Sequence, residues 1–382
     1  MIQYGHQYID DEDIKAITEV LKSDFLTQGP AVSCFENKIC EITGARYCVA
    51  VSNATAGLHI AVQALNLPEN SEGITTPNTF LASANCLLYN KVKPVFADIN
   101  PDTYNIDPNK IEKKITSDTK VVIPVHFAGL ACDMELIRKI VDTHNIKVIE
   151  DAAHAIGSCY ADGAPVGSCK YSDMTVFSFH PVKTITTGEG GAITVNDEVL
   201  YKRLLQLRSH GMTKDAELLT QNPGPWYYEM HSLGFNYRMT DMQAALGYSQ
   251  LLKLEHFRER RQSIVDRYNE AFDGIPYVKL PYRNSEQVSC FHLYVLQIDF
   301  DVIGTTRKDF MKKLADKGIG TQVHYIPVHT QPYYKTYYGY KVGDYPIAEK
   351  YYERALSIPL YPAMSDSDVK TVINAIREII CK

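Results

Sequence analysis

Short apolar runs alternate with helical patterns through the first half of the chain, and this alternation constrains the fold more than any other feature. Residues 47–52 read as a strand and 53–65 as a helix, because Leu58, Ala61, Val62 and Leu65 recur at helical spacing. Further strand candidates are 94–99, 121–127, 147–152, 175–179 and 192–195. Strands separated by helices imply an α/β fold with a mainly parallel sheet covered on both faces. Such sheets take ligands beyond the ends of their strands.

The second half reads differently. Residues 239–259 form a long helical pattern able to bridge two domains, followed by a loop at 284–288, a strand at 292–299, a helix at 307–317 and a strand at 319–325. A length of 382 residues suits one large domain and one smaller one. The expected division is 1–254 for the large domain and 255–382 for a C-terminal α+β domain, with an N-terminal helix at 10–22 packing on the smaller one. The Tyr-rich stretch 333–345 shows no clear periodicity.

Composition excludes several classes of function. The net charge is −6, which gives no footprint for nucleic acid. No run approaches the roughly 18–20 apolar residues of a membrane span. Met1-Ile2-Gln3-Tyr4 leads into an acidic segment with no basic or apolar leader, so a cytoplasmic protein is expected. Nine cysteines, from Cys34 to Cys381, include no C-x-x-C pair, which argues for reduced thiols over disulfides or a zinc module.

The chemistry concentrates at the strand ends. Lys183 lies between the apolar run 175–179 and the turn Gly188-Glu189-Gly190-Gly191, and Asp151 ends the run Lys147-Val148-Ile149-Glu150. An amine able to condense with an aldehyde and a carboxylate able to hold a pyridine nitrogen protonated are what pyridoxal 5'-phosphate asks of its protein. Asp151 also suits the cap of a following helix. Ser52-Asn53-Ala54-Thr55-Ala56-Gly57 joins strand to helix, either as an ordinary N-cap or as a phosphate seat of free N–H groups. Ser178, five residues before Lys183, adds a hydroxyl to such a seat or simply ends its strand. His154 suits a bond to the cofactor's ring oxygen or a structural role. Phe80 suits stacking on the ring or a place in the core. Asn236 follows Gly234 as a turn residue would. A metal site at His324, Tyr325 and His329 lacks a completing carboxylate or cysteine, and none is expected.

Several motifs together carry a resemblance. They are Leu26-Thr27-Gln28-Gly29, Ser52-Asn53-Ala54-Thr55, Thr76-Pro77-Asn78-Thr79-Phe80, Asp151-Ala152-Ala153-His154, the run from Ser178 to Gly191, Arg208-Ser209-His210-Gly211 and Gly234-Phe235-Asn236-Tyr237-Arg238. On these the chain resembles the DegT/DnrJ/EryC1/StrS sugar aminotransferases over essentially its whole length. The resemblance implies the aspartate aminotransferase-like fold (PLP fold type I). It implies that Lys183 carries the cofactor, that Asp151 pairs with its pyridine nitrogen, and that the Ala54 N–H, Thr55 and Ser178 hold its phosphate. Asn236 is then expected to reach the phosphate in the neighbouring subunit of a homodimer with shared active sites.

Phe179-His180-Pro181-Val182-Lys183 with Ile185-Thr186-Thr187, and Gln322-Val323-His324-Tyr325, are most similar to the branch of the family that serves pseudaminic acid biosynthesis. The implied reaction is a ping-pong transfer from L-glutamate to the C4 ketone of a UDP-4-keto-6-deoxy-2-acetamido sugar, with Lys183 moving the proton. Tyr4, Leu26, Thr27, His324, Tyr325 and His329 are the expected lining of the sugar-nucleotide pocket. Another nucleotide 4-keto-6-deoxy sugar is the alternative acceptor. A sugar dehydratase of the same fold carries histidine in place of the lysine, so Lys183 argues against that reading. A non-catalytic PLP-binding regulator would need a partner module that the chain does not display.

Overall fold

The computed structural model describes residues 1–284 and 286–380. Its centre is a seven-stranded sheet built from β1 (Tyr47–Val51), β2 (Glu72–Thr75), β3 (Lys93–Phe96), β4 (Thr119–Ile123), β5 (Lys147–Asp151), β6 (Met174–Ser178) and β7 (Gly191–Val195). The order is β1-β7-β6-β5-β4-β2-β3, and β7 alone runs against its neighbours. Strand pleating splits the apolar residues between the two faces. Val122, Val148 and Phe177 face α2 (Pro30–Thr43), α5 (Pro108–Glu112), α6 (Met134–Asp142) and α8 (Asp241–Leu252). Val121, Ile149 and Val176 face α3 (Ala54–Ala64), α4 (Ala82–Tyr89) and α7 (Glu198–Arg208). Both faces are therefore covered, as the alternation of apolar runs and helices requires. A two-stranded ribbon, β8 (Met212–Thr213) with β9 (Glu229–Met230), projects beyond α7.

Strand β2 is absent from the sequence reading. It has four residues, one of them Gly73, whose added Cβ would lie 2.4 Å from Leu87 Cδ2. The close approach of α4 selects glycine there, and glycine hides the strand.

A second sheet, β10 (Val278–Lys279), β11 (Tyr294–Ile298) and β12 (Ala355–Ile358), is antiparallel. It packs on α9 (Leu254–Phe272), α10 (Arg307–Asp316) and α13 (Asp366–Ile380) through Ile264, Tyr268, Leu296, Phe310 and Ile376. A further apolar cluster joins this part to the loops of the large sheet, and it absorbs the Tyr-rich stretch. Tyr334, on α11 (Pro332–Tyr338), packs with Phe96, Phe127 and Tyr345, and with Tyr351 of α12 (Pro346–Arg354).

Three expectations need correction. The helix expected at 239–259 is two helices: α8 stops at Leu252, Lys253 takes φ −102° and ψ 3°, and α9 starts at Leu254. The proposed division between 254 and 255 lies at this junction. The N-terminal helix, α1 (Asp11–Leu21), packs along α8 and not on the small sheet. Its polar contacts explain this, because Lys253 reaches Asp10 at 2.7 Å and Asp13 at 2.9 Å, while Gln250 Nε2 donates to Asp13 at 2.7 Å. The expected strand at 319–325 makes only single bridges, Ile2 to Ile319 and Gln322 to Ser357, before the chain leaves the sheet. Residue 285 of the expected 284–288 loop, and Cys381, lie outside the described residues.

One buried carboxylate ties the layers together. Glu150 is fully buried on β5 and accepts hydrogen bonds from His126 Nε2 at 2.7 Å, Tyr160 Oη at 2.7 Å, Ser172 Oγ at 2.5 Å and Thr175 Oγ1 at 2.9 Å. Cys132 N–H donates to His126 Nδ1 at 3.1 Å, so the proton sits on Nε2 and points at Glu150. Burial pushes the Glu150 carboxyl up, yet these donors hold it below its ordinary value of 4.5. Its contribution to stability is therefore complete above pH 4.5 and is lost as pH falls through the depressed folded value. Glu150→Gln, which replaces one acceptor oxygen by a donor, should cost about 1–3 kcal/mol in denaturant unfolding and flatten the acid side of the stability profile. An unchanged urea midpoint and acid profile would contradict this account.

Candidate active site

The parallel strands β5 and β6 deliver Asp151 and Ser178 to the same edge of the sheet, and Lys183 follows on the loop from 179 to 190. That loop is closed at its base by Phe179 N–H to Gly190 O at 2.9 Å and Thr187 N–H to Phe179 O at 3.0 Å. Lys183 keeps part of its surface open, and among the described residues its amine makes no hydrogen bond. Desolvation lowers the amine to about 8, against the pull of Asp151 and Cys290 toward the charged form. The loop thus presents a single unpaired amine that gives up its proton more readily than an ordinary lysine.

Asp151 is held from two directions. Ser83 Oγ on α4 donates to Oδ2 at 2.6 Å, and Ala153 N–H donates to Oδ1 at 3.1 Å. No helix starts at 152–156, so the reading of Asp151 as a helix cap has nothing to cap. Ser83 was not legible as a functional residue. It is one small residue in an Ala-rich helix, and only the crossing of α4 over β5 aims it at the carboxylate.

A seat of unsatisfied donors is assembled where α3 begins. Asn53 caps the helix by accepting from Ala56 N–H at 2.8 Å, while the Ala54 and Thr55 N–H groups have no acceptor among the described residues. Gly191 opens β7 directly against this end: an added Cβ would lie 2.7 Å from Ala54 N. Ser178 pairs with Gly191 in the ladder, and its hydroxyl has no partner among the described residues. Two free N–H groups, a helix dipole and two hydroxyls, from Thr55 and Ser178, therefore converge on one spot.

The opposite wall is aromatic. His154 stacks on Tyr325 with ring centroids 6.0 Å apart and on His292 at 4.4 Å. Its Nδ1 accepts from Ala128 N–H at 3.3 Å, so Nε2 carries the proton and donates to Tyr325 Oη at 3.0 Å. Both ring nitrogens are thus engaged with protein, one through Ala128 and the other through Tyr325. Burial, with Lys183 and His324 nearby, holds this imidazole neutral, far below its ordinary value. His292 had no local signal in the sequence, because only the passage of the chain into β11 brings it onto His154.

His324, bonded through Nδ1 to Ser357 Oγ at 2.7 Å, is lowered to about 3 by burial and by Lys183. Tyr4 lies over its ring at 5.5 Å. Phe80 is 59% exposed and faces Tyr325 at 6.4 Å. The structure therefore groups Phe80, Asp151, His154, Lys183, His324, Tyr325 and Tyr4. Leu26 and Thr27 are exposed beside Thr240 and Asp241, and Asn236 is exposed in the 234–238 segment. His329 does not join them. It is 0% exposed, and its Nε2 bonds Glu349 at 2.9 Å, so the ring offers a pocket nothing. Among the described residues no group of His, Cys, Asp and Glu is arranged to hold a metal ion.

The depressed Lys183 value has a measurable consequence. Between about 8 and 10.5 the folded chain binds fewer protons at this residue than the unfolded one, so the cofactor-free protein should gain stability as pH rises through that window. Acylation of Lys183 should show a midpoint near 8 in the same protein, mapped by peptide mass spectrometry. A midpoint near 10.5 would refute the desolvated amine.

The residues suit pyridoxal 5'-phosphate: an unpaired amine, a positioned carboxylate for the pyridine nitrogen, and a seat of unsatisfied donors for the phosphate. Comparison with known proteins agrees. Residues 7–377 match the DegT/DnrJ/EryC1/StrS aminotransferase family. The chain is 44% identical over 380 residues to the spore coat polysaccharide biosynthesis protein SpsC of Bacillus subtilis, spanning 99% of this chain and 97% of SpsC. Its structure is similar to that of PseC from Helicobacter pylori, an aminotransferase involved in the biosynthesis of pseudoaminic acid, with a TM-score of 0.92, 31% identity and 99% of each chain covered. It is also similar to the PLP form of the putative sugar aminotransferase Spr1654 from Streptococcus pneumoniae, with a TM-score of 0.90, 30% identity, and 99% and 98% of the two chains covered. The chain belongs to the DegT/DnrJ/EryC1/StrS aminotransferase family and is a PLP-dependent sugar aminotransferase of the aspartate aminotransferase-like fold.

Proposed function

We propose that the chain transfers the amino group of L-glutamate to the C4 ketone of a UDP-4-keto-6-deoxy-2-acetamido sugar, the reaction of UDP-4-amino-4,6-dideoxy-N-acetyl-β-L-altrosamine transaminase in pseudaminic acid biosynthesis. The observation that carries the choice of acceptor is the likeness to PseC over 99% of both chains. The bound cofactor supplies an electron sink that lets an amino group pass through its aldehyde carbon. The protein does the rest.

Lys183 holds the cofactor and, once released, takes a proton from one carbon and returns it to another. An amine near 8 suits this work, because a general base is most effective when its value lies near the working pH. Asp151, fixed by Ser83 and Ala153, supplies the negative charge that keeps the pyridine nitrogen protonated. Ala54 N–H, Thr55 and Ser178 would anchor the phosphate, and Phe80 would supply an aromatic face for stacking on the ring. The neutral His154–Tyr325 pair fixes the opposite wall. Tyr4, Leu26, Thr27, His324 and Tyr325 then receive the sugar nucleotide.

The working unit in this proposal is a homodimer with Asn236 acting in the partner's site. Phe235 and Tyr237 turn inward to line a groove of about 860 Å³ with Thr55, while Asn236 between them faces outward. The neighbouring ribbon exposes Trp226, Met230 and Leu233, an apolar surface suited to a second copy. The absence of C-x-x-C pairs among nine cysteines supports a reducing, cytoplasmic setting. A different nucleotide 4-keto-6-deoxy sugar is the second reading, favoured by the higher identity to SpsC than to PseC.

Purified protein given glutamate and a panel of UDP-, TDP- and GDP-4-keto sugars should aminate the UDP-linked 2-acetamido sugar fastest. Preference for a TDP- or GDP-sugar would move the assignment to the second reading. Lys183→Ala and Asn236→Ala homodimers should each be weak, and mixing them after mild dissociation should recover up to about half of wild-type activity per heterodimer, as independent sites predict. If heterodimers form without regaining activity, the shared site is wrong.

A further inference from the structure

Of the motif Thr76-Pro77-Asn78-Thr79-Phe80, the proposed function uses only Phe80. Thr79, beside it, is 3% exposed, and among the described residues its hydroxyl has one partner, Ser83 Oγ at 2.7 Å. Ser83 is fully buried on α4 and stands 2.6 Å from Asp151 Oδ2. Thr79 and Ser83 thus form a chain of two hydroxyls that ends on the carboxylate.

The direction of both bonds follows from their protons. An ionised carboxylate only accepts, so the hydrogen in the 2.6 Å contact belongs to Ser83, and the length is that of a charge-assisted O–H···O bond. Ser83 has no second hydrogen, so Thr79 is the donor in the contact between the two hydroxyls. That donation polarises the Ser83 O–H and strengthens its bond to Asp151. It also restrains the Ser83 hydroxyl, which has a competing acceptor in Phe80 O at 3.4 Å. With Oδ2 held by Ser83 and Oδ1 by Ala153 N–H, the carboxylate is fixed in rotation, and each oxygen keeps a lone pair for a further donor. The backbone of the motif is anchored without the Thr79 hydroxyl, through Val328 N–H to Pro77 O at 2.9 Å and Asn78 Nδ2 to Tyr104 O at 3.2 Å.

We propose that Thr79 is a positioning residue for the pyridine end of the cofactor. It acts through Ser83, fixing the orientation of Asp151 and with it the strength with which that carboxylate holds the pyridine nitrogen protonated. The proposal rests on the pairing of Asp151 with that nitrogen.

Absorbance of the holoenzyme against pH tests it, because the colour of the bound cofactor reports the proton on the nitrogen that joins it to Lys183. A protonated pyridine draws electrons from that nitrogen and lowers its affinity for a proton, so a weakened Asp151 should move the midpoint upward. Thr79→Val, which keeps the shape and removes the hydroxyl, should raise the midpoint by about 0.3 pH units or more, near the low end of what one neutral hydrogen bond contributes. Thr79→Ser should restore the wild-type midpoint. Ser83→Ala should shift it at least as far as Thr79→Val, which reads the same link should the valine variant fold poorly. Adding Thr79→Val to Ser83→Ala should then change nothing, because a residue that acts only through another is not additive with it. An unchanged or lowered midpoint in Thr79→Val or Ser83→Ala, or a Thr79→Val shift that persists in full without Ser83, overturns the relay while Asp151→Asn still raises the midpoint. If Asp151→Asn leaves the midpoint where it was, the pairing with the pyridine nitrogen and the relay fall together.

Discussion

The pleat of β5 sends two adjacent carboxylates to opposite faces of the central sheet, and the active site depends on that division. Glu150 turns toward the layer of α5 and α6 and is locked there by four donors. Asp151 turns toward α4 and is met by Ser83. A one-residue slip of register would exchange their environments, putting an unpaired carboxylate into the core. The buried network around Glu150 thus fixes the strand end that carries Asp151.

A second constraint acts at the other side of the site. Strand β7 runs antiparallel between β1 and β6, which brings Gly191 against the first residues of α3 and Ser178 beside it. Without a side chain at 191, the helix end and the strand end come within contact, and unsatisfied N–H groups and hydroxyls gather in one place. The loop bearing Lys183 leaves β6 and returns into β7 at this point, so the seat for an anion and the amine share one supersecondary unit. The donor seat and the amine are coupled by the backbone.

The small sheet contributes by what leaves it. Gln322 still pairs with Ser357, but the chain then turns away, carrying His324 and Tyr325 into the wall opposite Lys183. His292 enters from the start of β11, and Arg261, fully buried, holds the carbonyls of Phe291, His292 and Leu360 in place. Three imidazoles, those of His154, His292 and His324, are kept neutral around an amine that is itself shifted down. Burial near a potential cation disfavours charge on each of them, so the wall stays uncharged.

The sequence by itself determined the layered α/β sheet, because apolar runs at strand and helix periods must bury both faces. It also marked Lys183, Asp151, Ser178 and the 52–57 cap, because each stands next to a strand end along the chain. It did not determine β2, where glycine erased the apolar signal, or the docking of α1 on α8, which rests on Lys253 pairing with Asp10 and Asp13 some 240 residues away in the chain. Ser83, His292 and the second bond of His154 were likewise decided by tertiary structure, since their partners are distant in sequence and carry no spacing to read. The same holds for His329, whose burial against Glu349 removes it from a pocket that its place in the chain suggested. Periodicity reports which face of an element is buried; only packing decides which polar groups meet across elements.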